Sequence, residues 1–227
     1  MADLHVLRVF CAEGGGGGNA LRVFLDGSSI RPADRQGVAA DLGFAETVFV
    51  DDAERGEIRI FTPGTEVPFA GHPVVGTGWL LARERGRAVA LHPPAGEVPV
   101  RLEGELTFAA GRPEWAPEWE FVQLGAPAEV EGLDGPPEGH DAVGVWAWID
   151  EPAGLIRERV FAAPYGIAED EATGSAAVVL SARLGRELDI RQGKGSRILA
   201  RPLADGIVEI GGRVELDDVR EYGAQTE

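Results

Sequence analysis

A chain of 227 residues can bury one large core or two small ones, and 44% hydrophobic with 26% charged residues is the balance of an ordinary globular protein. A formal net charge of -17 works against nucleic acid and anionic membrane surfaces, both of which are held by basic groups, and no apolar run approaches the roughly 20 residues of a membrane span. One cysteine, Cys11, permits no internal disulfide, and His5, His72, His92 and His140 show no paired spacing, so the chemistry is expected to be metal-free. The opening MADLHVLRVF lacks a basic segment followed by an apolar one, which makes the cytoplasm the expected location.

Leu4 to Cys11 and Ala20 to Leu25 are apolar enough to predict two strands. Between them, the five glycines Gly14 to Gly18 are costly to order and predict a mobile loop that ends at Asn19. Pro32 and the DRQGVAADLG that follows predict a short helix from near Ala33 to about Gly43. Thr47 to Val50 and Ile58 to Phe61 flank the polar turn Asp51 to Gly56 as a hairpin, with Glu46 at its start. Gly71 and His72 then precede Pro73, a first-turn residue, and VVGTGWLLA continues as a small-residue helix towards Arg83 to Arg87. Gly76 and Gly78 would each cost about 1 kcal/mol in an exposed helix, so they predict close packing around this one.

Ala88 to His92, Val98 to Leu102 and Glu105 to Ala109 predict short strands broken by prolines and glycines. At Gly111 to Trp119 (GRPEWAPEW) alternation gives way to prolines, charges and tryptophans, which places a boundary between halves 1–112 and 113–227, with the last strands free to pack back on the first half. Phe121 to Leu124, Ala142 to Ile149 and Leu155 to Phe161 are expected strands, with the loop Glu131 to His140 among them. Ala168 to Val179, AEDEATGSAAVV, sets acids and a Thr-Gly-Ser step ahead of a helix expected to reach about Glu187. Its free N–H groups would welcome a carboxylate, and Asp170 could exchange a proton there; the same residues also read as Thr173 or Ser175 capping a helix. Ile198 to Arg201, Ile207 to Ile210 and Val214 to Leu216 finish as strands.

The two halves echo each other: strands, a carboxylate, a Gly-His or Gly-Ser step, and a small-residue helix. Aligning Gly71 with Gly174 pairs His72 with Ser175. Two β-rich halves, each built round one helix whose N-terminus faces a common cleft, form a coherent α+β architecture.

Six stretches in order carry a resemblance: GNALRVFLDG (Gly18 to Gly27), AETVFV (Ala45 to Val50), FTPGTEVPFAGHPVVGTG (Phe61 to Gly78), EDEATGSAA (Glu169 to Ala177), RQG (Arg191 to Gly193) and VEIGGRVEL near the end. Together they resemble the PhzF-like phenazine-biosynthesis family, which shares the diaminopimelate epimerase fold. The resemblance implies a cofactor-independent isomerase or epimerase acting on a small molecule, often a homodimer. Carried over by motif, Glu46 matches the catalytic acid/base carboxylate, Asp170 the acid of the opposite half, and His72 the cleft histidine. Asn19, Gly71, Gly174 and Ser175 match positions lining the substrate's polar end. Glu171 and Ala20 stand where the family usually has proline, and the segment after RQG departs from the pattern, so the substrate is not carried over. The alternative is a non-catalytic small-molecule binding protein on the same scaffold. Serine hydrolysis is set aside, because TGSAA is not the GxSxG elbow.

Overall fold

The computed structural model describes residues 2–223. It opens with β1 (Ala2–Cys11) and β2 (Asn19–Phe24), paired antiparallel, followed by α1 (Arg35–Leu42), the hairpin β3 (Glu46–Asp52) and β4 (Glu57–Phe61), and the short β5 (Glu66–Val67). Then come α2 (Gly71–Arg85), the pair β6 (Val100–Glu103) and β7 (Leu106–Gly111), β8 (Glu120–Gln123), and the single turn α3 (Pro127–Glu131). The remainder is β9 (Ala142–Asp150), β10 (Leu155–Ala162), β11 (Ile167–Asp170), α4 (Gly174–Leu184), β12 (Leu188–Gln192), β13 (Ser196–Pro202) and β14 (Val208–Tyr222).

The strands form one sheet in the order β5-β4-β3-β2-β1-β14-β13-β12-β10-β9-β8, with β7 joined to β14, β6 to β7, and β11 to β10. β14 is the seam. Its residues Val208 to Arg213 pair with β7, and Arg213 to Tyr222 pair with β1, while Val208 to Gly211 also take β13 on the other edge. Around it, α2 packs on β1, β2, β7 and β14, and α4 packs on β13 and β14. One apolar cluster runs through both helices and these strands, from Leu7, Val9 and Val75 to Val178, Ile198 and Ile210. Among the described residues no helix is long and apolar enough to cross a membrane.

Gly76 and Gly78 do sit under close neighbours, Leu21 with Val9 and Val100 respectively. Several expected boundaries change. The α4 helix stops at Leu184, earlier than Glu187, because Gly185 takes the left-handed conformation that ends a helix, and Leu188–Gln192 becomes a strand. Ala88 to His92 is not a strand: only isolated bridges at Leu91 and His92 form. What read as two final strands is the single β14, since Gly211 and Gly212 stay extended beneath the Phe108 and Phe10 rings. The glycine run is also more than an open loop. Ala12 N–H bonds the Gly16 carbonyl at 2.8 Å, and Gly17 rests so closely on the Gly195 and Ser196 backbone that a Cβ there would lie 2.5 Å away.

Candidate active site

The two helices meet at their N-termini. A Cβ on Gly71 would stand 2.6 Å from the Gly174 backbone, and one on Gly174 would stand 2.8 Å from the Gly71 Cα, so both positions require glycine. The cap residues, Ala70 and Thr173, make no side-chain cap bond, and Ser175 Oγ is occupied otherwise. The first-turn N–H groups of a 15-residue and an 11-residue helix therefore converge at one junction, adding their partial positive charges.

His72 and Glu46 lie close together. His72 follows Gly71 into the helix and is buried, while Glu46 begins β3 with 16% of its side chain exposed; His72 Nε2 and Glu46 Oε2 are 3.3 Å apart. Neither of these two atoms has a well-aligned hydrogen-bond partner, although both are buried. Burial raises the Glu46 carboxyl to about 8, with Asp170 adding to the shift as a nearby like charge. Burial lowers the His72 imidazole to about 3, partly opposed by a hydrogen bond with the Ala20 backbone. With its charged form disfavoured by burial, the ring is uncharged at neutral pH.

Asp170 ends β11 and is the centre of a denser network. Its Oδ1 accepts Asn19 Nδ2 at 2.8 Å, and its Oδ2 accepts the Thr173 hydroxyl at 2.6 Å. Asn19 also donates to the Ala172 carbonyl at 2.9 Å. Gln192 supports the same turn: its Nε2 donates to the Asp170 carbonyl and Thr173 Oγ1, both at 2.9 Å, and its Oε1 accepts the Thr173 N–H at 3.0 Å. Burial raises Asp170 to about 6, and the Thr173 and Asn19 bonds restrain that rise.

Ser175, in the first turn of α4, accepts the Trp119 indole N–H at 3.2 Å. With its oxygen so engaged, its own hydroxyl proton is free to donate towards a ligand. Trp119 packs against Tyr165, ring centroids 5.7 Å apart. The structure thus groups Glu46 with His72, Asn19 with Asp170, and Gly71 with Gly174 and Ser175. Trp119, Thr173 and Gln192 were not foreseen. Gln192 lies in the RQG step and Thr173 in EDEATGSAA, so a signal existed for both; Trp119 sits in the proline-rich break, where no pattern singled it out.

The family model for phenazine biosynthesis-like protein, PhzC-PhzF, matches residues 7–114. The chain is 31% identical over 224 residues to a trans-2,3-dihydro-3-hydroxyanthranilate isomerase of Pseudomonas fluorescens, covering 80% of each. Its structure is similar to that of a predicted epimerase from Pseudomonas aeruginosa (25% identity, TM-score 0.76, 99% of this chain and 100% of that one). In fold alone it is similar to a hydroxyproline epimerase of Agrobacterium vitis (11% identity, TM-score 0.62, 96% and 91% covered).

Proposed function

Because this chain belongs to the PhzC/PhzF phenazine biosynthesis-like family of isomerases, with the diaminopimelate epimerase-like α+β fold, we propose that it moves a proton within a small carboxylate-bearing substrate, using Glu46 and Asp170 and no cofactor. The observation that carries this reading is that two buried carboxyl groups from distant stretches of the chain lie near one another, burial raising each and the Asp170 charge raising Glu46 further. At neutral pH Glu46, near 8, keeps its proton, and Asp170, near 6, has lost its own. One then offers an acid and the other a base, the condition for removing a proton at one carbon and returning one at another.

The remaining residues complete the cycle. A substrate carboxylate set at the junction of Gly71 and Gly174 receives free helix N–H groups and the Ser175 hydroxyl. Asn19 and Thr173 hold the Asp170 carboxylate so that one orientation faces the substrate. Neutral His72 lies 3.3 Å from Glu46 and adds no charge beside it. General acid/base transfer of this kind contributes about 10² to 10⁴ in rate, and donors fixed before the reaction stabilise the charge that develops between the two transfers.

Isotope incorporation tests the proposal. The first compound to try is trans-2,3-dihydro-3-hydroxyanthranilate, the substrate in the relative's name, alongside other small cyclic carboxylates. The Glu46 proton equilibrates with solvent before substrate binds, so product formed in D2O is expected to carry deuterium at the carbon that gained hydrogen. Product formed at the full rate without deuterium would exclude this acid.

A further inference from the structure

The residue after Asp170 is a second acid, and its carboxylate turns away from the cleft into the loop between β12 and β13. Glu171 accepts the Lys194 backbone N–H with its two oxygens at 2.9 and 3.0 Å, and its Oε1 accepts the Ser196 hydroxyl at 2.8 Å. Ser196 Oγ in turn accepts the Gly18 N–H at 2.8 Å. Gly18 immediately precedes Asn19, whose side-chain amide holds both Asp170 and the Ala172 carbonyl. The path closes on itself: from Asp170 to Glu171, across Ser196 to Gly18, and through Asn19 back to Asp170. Close packing surrounds it, since a Cβ on Gly193 would lie 2.4 Å from the Glu171 carboxyl carbon.

We propose that Glu171 is a positioning residue for the cleft, its carboxylate clasping the Gly193–Ser196 turn and, through Ser196, the end of the glycine run, so that Asn19 is held against Asp170. This rests on the reading of Asp170 as a proton-transfer group. The segment before Asn19 is five glycines, which hold no conformation by themselves. An amide delivered from such a segment keeps its place only if the backbone beside it is tied: Asn19 pairs with Val9 of β1 and Arg8 donates to the Gly17 carbonyl at 3.0 Å, and the Gly18 N–H to Ser196 Oγ bond adds the tie that reaches the Gly193–Ser196 turn. Ser196 presents its lone pair to Gly18 because its own proton is committed to Glu171. A charged acceptor makes the stronger bond, so the carboxylate orders the hydroxyl and the hydroxyl orders the glycine.

The test uses the ligand-free full chain, so its result stands apart from any turnover: hydrogen exchange at the Gly18 and Lys194 amides, and the 13C titration of the Asp170 carboxyl. In Glu171→Ala both amides are expected to exchange about tenfold faster or more, the loss that follows removal of a charged acceptor. In Ser196→Ala, which keeps the Glu171 charge and its bond to Lys194, Gly18 is expected to exchange faster and Lys194 to stay as in the native chain. In that same variant the Asp170 midpoint rises above its native value, because Asn19 no longer favours the ionised form. Glu171→Ala that speeds Lys194 alone would overturn the clasp and leave Glu171 a local turn acceptor. Should Glu171→Ala fail to fold, Ser196→Ala decides: unchanged Gly18 exchange and an unmoved Asp170 titration would overturn it. Loss of isomerase activity in the native chain with the clasp intact would count against the function reading only.

Discussion

Gly71→Ala probes the contact on which the cleft is built. The added Cβ would lie 2.6 Å from the Gly174 carbonyl carbon and Cα and 2.9 Å from Ile210 Cδ1. Ile210 can rotate, but the Gly174 obstacle is backbone, so the helix starts must separate by about 0.8 Å to reach the near edge of ordinary contact. Overpacking of this kind costs about 1 to 3 kcal/mol, and the better helix propensity of alanine returns up to about 1 kcal/mol. The melting temperature should therefore fall by only several degrees, at roughly 2 to 4 °C per kcal/mol for a chain of this size. The rate should suffer far more, since a displacement near 1 Å in a positioned site can cost about 10²-fold. Thermal unfolding and steady-state kinetics on the same preparation give both numbers. A variant with native kcat and an unchanged helix spacing would refute the claim that the glycine contact sets the cleft.

Three further outcomes follow from the same geometry. The profile of kcat/KM should be bell-shaped, rising near pH 6 as Asp170 ionises and falling near pH 8 as Glu46 loses its proton, the two limbs belonging to the pair; a profile flat across this range would contradict the assignment. Trp119→Phe removes the donor to Ser175 while keeping the ring against Tyr165, and should raise KM several-fold, about the value of one hydrogen bond, with a smaller change in kcat. Glu158 is fully buried on β10 with both oxygens unpartnered, and burial raises it to about 8. Its folded form keeps a proton that the unfolded chain releases, so stability is complete below the ordinary carboxylate range and falls as pH rises towards 8. Glu158→Gln should remove a part of that fall on the order of a few kcal/mol, read as urea unfolding at pH 5 and pH 9; parallel losses in both proteins would contradict it.

Much of the site was legible because its chemistry is local in the sequence. Gly71, His72, Gly174 and Ser175 sit at helix starts announced by their small residues, and Glu46 begins a hairpin whose two β-rich runs flank a polar turn. The α+β class followed from the repeated strand and helix pattern. Less legible was everything decided by distant partners. Leu188–Gln192 is a strand because β10 and β13 receive it, and β14 runs unbroken through two glycines because rings from β7 and β1 cover them. The five glycines read as a mobile loop, since nothing in their composition reveals the Gly195 backbone against which they lie. Glu171 read only as a departure from the family's usual proline; its partners, Lys194 and Ser196, are more than twenty residues away.

The central claim is that Glu46 gives a proton to the carbon that gains one, while Asp170 takes the proton from the carbon that loses one. Deuterium content of substrate and product after incubation in D2O, measured for the native chain and for Glu46→Gln, tests it most directly. The amide fills the carboxyl's place without a transferable proton, so exchange and turnover should fall by about 10² to 10⁴, the share of one acid/base group, while the fold persists. Undiminished formation of deuterated product by a folded Glu46→Gln would contradict the account.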